Sequence, residues 1–103
     1  MLKSMLKIAQ NTINSKTGSG YRKIYLSRYQ QDEHACAGCK STFPTSRIQV
    51  DHIIPQKHGG SNAITNLQAM CAPCNNAKSA KIDQLALKYS GAALVREIKK
   101  IYR

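Results

Sequence analysis

Four cysteines stand in two C-x-x-C pairs, Cys36 with Cys39 and Cys71 with Cys74. A two-residue gap lets both sulfurs of a pair reach one ion, and two pairs complete a tetrahedron around Zn²⁺, with Zn–S of about 2.3 Å. Four thiolates leave no position for water, so this zinc is expected to be structural. Its binding, on the order of 10 kcal/mol, would be a large part of the folding free energy. A redox dithiol calls for a βαβ setting that the sequence lacks, and structural disulfides call for an oxidising compartment, to which nothing points.

Between the pairs lies the stretch D-H-I-I-P-Q-K-H-G-G, residues 51–60. Asp51 offers a hard oxygen ligand suited to Mg²⁺ or Mn²⁺. Histidine is the side chain whose ordinary pKa lies near neutrality, so His52 can take a proton from water. A metal ligand beside a base is the minimum for attack on a phosphodiester. Neighbours in a strand point to opposite faces, so both can serve one cleft only if the strand departs from regular geometry at its end. Asn66 closes the loop opened by Pro55, and its side chain can hold backbone or imidazole in place. Asn75 directly follows the last cysteine, where its amide oxygen is available as a second metal ligand. His34 and His58 are expected to be exposed and to carry no function.

These residues need elements to position them. Arg47 to Pro55 alternates as a strand, with Ile48 and Val50 on one face and Arg47, Gln49 and Asp51 on the other. Residues 66–71 suit a return strand, and the run after Cys71 suits a helix start. Residues 21–31 read as a helix with Ile24, Tyr25, Leu26 and Tyr29 inward and Arg22, Lys23 and Arg28 outward. An earlier helical stripe joins Leu2, Met5, Leu6, Ala9 and Ile13, followed by the connection S-K-T-G-S-G, residues 15–20. Residues 82–103 are helical by pattern, with Leu87, Leu94, Ile98 and Ile101 on one side and Ser90-Gly91 as a break. The division expected within a single domain is an N-terminal basic helix and linker over 1–20, a core over 21–80 and a basic helical extension over 81–103.

The chain has 103 residues, with 16 Lys and Arg against 5 Asp and Glu, a formal charge of +11. Such a field attracts polyanions, nucleic acid first and an anionic membrane surface second. Six of the basic residues fall in 1–35, four in 36–80 and six in 81–103, which fits a reactive centre between phosphate-gripping flanks. Arg47, Lys57 and Lys78 are the candidate nucleic-acid contacts of the centre, Lys78 one helical turn beyond Asn75. No run approaches the roughly 18 apolar residues of a membrane span. Lys3 and Lys7 interrupt any secretion signal, and a cytoplasmic location is expected.

The ordered set C-A-G-C, V-D-H-I-I-P, G-G, and N-L-Q-A-M-C-A-P-C-N-N-A-K resembles the HNH endonuclease family, in the subgroup with a four-cysteine zinc site. The similarity runs from about Arg22 to Lys78. It implies an α+β fold of the ββα-metal type, in which a β-hairpin and a helix clasp one catalytic divalent ion. By motif His52 is the first H and Asn66 the N. Asn75 takes the third position, where histidine is common; the family accepts Asn there, as in the HNH domain of RNA-guided nucleases. An Asn oxygen in place of an imidazole nitrogen favours Mg²⁺ or Mn²⁺ over Zn²⁺ or Ni²⁺. The activity implied is one-metal hydrolysis of DNA, with His52 as general base, leaving 5′-phosphate and 3′-hydroxyl ends. The family's small members suggest a phage, mobile-element, restriction or packaging assembly as context. The alternatives are a non-catalytic zinc module that binds nucleic acid or serves packaging, and a nuclease acting on RNA.

Overall fold

A computed structural model describes residues 18–102 of the chain. The N-terminal stripe over residues 2–13 and the start of the expected linker lie outside the described residues. Helix α1 (Gly18–Arg28) is followed by two short strands, β1 (Glu33–Ala35) and β2 (Thr42–Pro44). Next come β3 (Gln49–His52) and β4 (Leu67–Met70), then helices α2 (Ala72–Leu85) and α3 (Gly91–Lys99). The α+β class expected from the sequence is the one observed.

The central unit is the antiparallel pair β3–β4, in register Gln49↔Met70, Val50↔Ala69, Asp51↔Gln68 and His52↔Leu67. The period of two sorts its residues by face. Val50, Leu67 and Ala69, with Ile48 just ahead of β3, form one buried cluster, against which Tyr21 and Tyr25 of α1 pack together with Phe43 and Ile64. The opposite face carries Gln49, Asp51 and Gln68, and α2 lies across it. Asn75 reaches Gln49 and Lys78 reaches Asp51, a three-residue step on the helix matching a two-residue step on the strand. This explains why α2 has so little apolar character: its inward turn is polar because it faces a site. Only further along does Ile82 anchor it, in a second cluster with Ile54 of the loop and Leu94 and Ile98 of α3. Burial of each such side chain is worth about 2 kcal/mol.

Strands β1 and β2 form a separate hairpin, absent from the sequence reading, whose tip is the first cysteine knuckle. It packs through Cys36 against Met70 and Cys71, with Phe43 and Tyr102 beside them. Gly38 is required there: a Cβ would lie 2.9 Å from the Cys74 sulfur and 3.1 Å from the Tyr102 ring.

Several expectations are corrected. Helix α1 begins at Gly18, inside the stretch read as a connection. Ile24 and Tyr29 are exposed rather than inward. Arg22, assigned to the wet side, donates to the carbonyls of Ile48 and Thr45 at 2.9 and 3.0 Å and ties α1 to the entry of β3. His34 is buried, not exposed, because it alternates inward on β1 opposite Phe43. Leu87 is 87% exposed. Helix α2 ends at Leu85, and the turn that follows throws Leu87 out of phase with Leu94 and Ile98 of α3. Among the described residues no helix is long and apolar enough to cross a membrane.

Candidate active site and cysteine cluster

Beyond His52 the chain leaves the sheet, and Ile53 and Ile54 carry it into a loop closed by Asn66. The Ile53 N–H donates to the Asn66 carbonyl at 2.8 Å. The Asn66 side chain then pairs with both backbone groups of Ile54: its Oδ1 accepts from the N–H at 2.9 Å and its Nδ2 donates to the carbonyl at 3.0 Å. The amide thus extends the β3–β4 ladder by one rung with a side chain. The same Nδ2 donates to the Ser61 carbonyl at 2.8 Å and fixes the far end of the loop. Gly60 passes so close that a Cβ would sit 1.6 Å from the Ile54 oxygen, so only glycine fits.

The bend at the strand end brings Asp51 and His52 to one cleft of about 190 Å³, which they line with Lys57, Lys78, Ser79 and Asp83. Each of the two has one edge held. Gln68, directly across the sheet, donates to Asp51 Oδ2 at 2.9 Å, and the Lys78 ammonium meets the same oxygen at 2.5 Å. Both contacts fall on Oδ2. His52 Nε2 lies 2.7 Å from Asn62 Oδ1. The Tyr21 ring packs against the imidazole, with centroids 4.3 Å apart and planes 60° apart.

Lys78 does not match its expected part as an outward phosphate contact. It is 2% exposed, and besides Asp51 its ammonium donates to the carbonyls of His52 and Ile53 at 2.6 and 3.1 Å. Its three donors are therefore spent on the protein. Three oxygens thus surround one buried positive charge at this end of β3. Asn75 lies outside the cleft lining; its Nδ2 donates to Gln49 Oε1 at 2.6 Å, which turns its own Oδ1 away from Gln49. Carboxylate and carboxamide oxygens of this kind suit a hard divalent ion. Arg47 is exposed and lines a different hollow, beside Phe43, Cys71 and Pro73. Lys57 is exposed at the cleft itself, and His58 is half-buried.

Sequence reasoning missed Gln49, Gln56, Asn62, Gln68 and Tyr21. Gln49 and Gln68 were visible only as polar residues on the same strand face as Asp51, and Asn62 only as a polar residue in a glycine-opened loop.

The four cysteine sulfurs lie within 4.8 Å of one another. Cys71 Sγ is 3.7 Å from Cys36 Sγ and 4.0 Å from Cys39 Sγ, close to the edge of about 3.8 Å for a tetrahedron with 2.3 Å metal–sulfur bonds. The cluster fits a zinc site. Burial alone would push the Cys36 thiol up, but backbone N–H groups of Cys71, Cys39 and Gly38 outweigh it and bring it down to about 6. Cys39 is lowered, chiefly by the Ser41 backbone. Cys74 is pushed up to about 12, first by its hydrogen bond with Cys71 and then by burial. Such crowding of thiols and thiolates is relieved when a cation takes the sulfurs.

A family model described as HNH endonuclease matches residues 36–89, a span holding all four cysteines, the Asp51–His52 cleft, Asn66 and Asn75. The chain belongs to the HNH endonuclease family. Over 46 residues it is 46% identical to the CRISPR-associated endonuclease Cas9 of Actinomyces naeslundii, a match covering 44% of this chain and 4% of that protein. No solved structure matches it.

Proposed function

We propose that this HNH protein is a metal-dependent endonuclease that hydrolyses DNA phosphodiester bonds. The observation that carries the reading is that Asp51 and His52, adjacent in sequence, line one cleft with one edge of each held by an amide partner. The relative is named an endonuclease, which supports the same reaction class.

His52 removes the proton from a water molecule lying in line with the scissile bond. The new P–O bond forms as the P–O3′ bond breaks, and the 3′ oxygen leaves and takes up a proton, giving 5′-phosphate and 3′-hydroxyl ends. Asp51 would hold one divalent ion, Mg²⁺ or Mn²⁺, and Asn75 would join it once its amide turns from Gln49 toward Asp51; the ion would supply charge neutralisation at the phosphate and the leaving oxygen. Asn66 holds the loop behind His52 in its conformation. Lys78 keeps Asp51 placed against the exit of β3, and could meet a phosphate only by releasing it. The four cysteines would hold structural zinc, which would fix the start of α2 and with it Asn75. Lys57 at the cleft and the basic residues of α2 and α3 grip the duplex backbone, and Arg47 contacts it from the far side of the cysteine knuckle.

Supercoiled plasmid incubated with the protein and Mg²⁺ or Mn²⁺ tests this. Nicked or linear product that vanishes with EDTA is expected. A gel shift with no cutting under any divalent ion would refute the reading in favour of a non-catalytic binding module.

A further inference from the structure

We propose that Asn62, held by Gln56, is a positioning residue for His52: it fixes the imidazole with its proton on Nε2 and leaves Nδ1 as the nitrogen that takes the proton from water. The inference rests on the reading of His52 as general base and adds to it the atom and the residue that selects it.

Two nitrogens converge on one oxygen. Asn62 Oδ1 lies 2.7 Å from His52 Nε2, and Gln56 Nε2 donates to the same Oδ1 at 3.2 Å. An amide oxygen has two lone pairs and no proton, so the imidazole nitrogen facing it must be the donor. A neutral imidazole carries a single ring proton. With that proton on Nε2, the basic lone pair is on Nδ1. The Tyr21 ring, 4.3 Å away centroid to centroid, limits rotation of the imidazole away from this pairing.

The loop delivers Asn62 through its neighbours. Asn66 Nδ2 pins the Ser61 carbonyl at 2.8 Å, and the Ser61 hydroxyl accepts from the Ala63 N–H at 3.2 Å. The residue between them is thereby held toward the strand end. Asn62 is itself exposed and adds nothing to the core, so its removal is not expected to unfold the chain.

The test uses the full chain loaded with zinc and labelled with ¹⁵N. Ring-nitrogen spectra at about pH 8.5, some two units above the ordinary imidazole pKa of about 6.5, report the tautomer of His52. The Nε2–H form is expected in the wild type, a mixture in Asn62→Ala, and the Nε2–H form again in Asn62→Asp, whose carboxylate still accepts. In plasmid cleavage Asn62→Ala should lower kcat about tenfold, the worth of one hydrogen bond, with KM unchanged, and Asn62→Asp should restore most of it. A wild type with the proton on Nδ1, or an Asn62→Ala variant that keeps the Nε2–H form fully, overturns the proposal. A chain that cuts no DNA yet loses the Nε2–H form in Asn62→Ala refutes the nuclease reading while supporting this placement of the ring.

Discussion

Asn66 hydrogen-bonds both the N–H and the carbonyl of Ile54 with a single side-chain amide, standing in for a strand residue where β4 has not yet begun. The bend that presents His52 beside Asp51 is stabilised by this pairing. Replacing Asn66 with Ala removes three hydrogen bonds and strands partly buried backbone groups, at a cost of about 2–3 kcal/mol. Urea unfolding of the zinc-loaded chain should show it. Asn66→Asp, which keeps the acceptor and loses the donors, should fall between. An Asn66→Ala variant as stable as wild type would contradict the bracing role.

Lys78 is a buried cation at the heart of the site, and its partner Asp51 is 16% exposed. Lys78→Met leaves Asp51 with Gln68 as its donor but no opposite charge, and strips the ammonium from the His52 and Ile53 carbonyls. Breaking a buried pair costs about 3 kcal/mol, the low end of the usual range because Asp51 retains some contact with water. The check is the denaturation midpoint, and a loss below about 1 kcal/mol would show that the pairing does not hold Asp51 in place.

The cysteine cluster gives a pH dependence with a defined sign. Cys36 is lowered to about 6. On its account folding is favoured fully above the ordinary thiol pKa of 9.0, and that advantage is lost as pH falls through about 6. Cys74, raised to about 12, acts in reverse in the metal-free chain: its contribution is complete below 9.0 and lost as pH rises through about 12. Zinc needs all four as thiolates, so lowering the pH should release it as protons compete for the sulfurs. A chromogenic zinc indicator follows it. Release already complete at neutral pH would contradict a four-thiolate site, as would unfolding that is indifferent to a strong chelator.

Lys57 is the exposed cation of the cleft. If it meets a phosphate, Lys57→Ala should reduce the slope of log K against log salt by about 0.9 on duplex DNA. It should weaken binding evenly across sequences. Binding measured by anisotropy over a salt series decides, and an unchanged slope would remove Lys57 from the interface.

The parts of this site that were legible in the sequence are local ones. Cysteine spacing, the adjacency of Asp51 and His52, and the alternation of Ile48 and Val50 each depend on a few neighbouring residues, and the fold keeps them. The strand pair and the start of α2 after Cys71 followed from the same signals. What stayed hidden depends on contacts between distant segments. Arg22 looks like any outward basic residue until the carbonyls of Thr45 and Ile48 stand before it. Lys78 looks solvated until α2 crosses the polar face of β3. The amide partners of Asp51, His52 and Asn75 follow no period and no motif, because a glutamine or asparagine gains such a role only from what lies opposite. Leu87 misled because one helical phase was extended across a turn.

The most direct test of the central claim, that His52 in the Asp51 cleft drives phosphodiester hydrolysis, is single-turnover cleavage of plasmid by His52→Ala. Zinc content and DNA affinity are measured on the same preparation. A rate lower by roughly 10²–10⁴-fold, with zinc and affinity retained, is the expected result. Cleavage at the wild-type rate would contradict it.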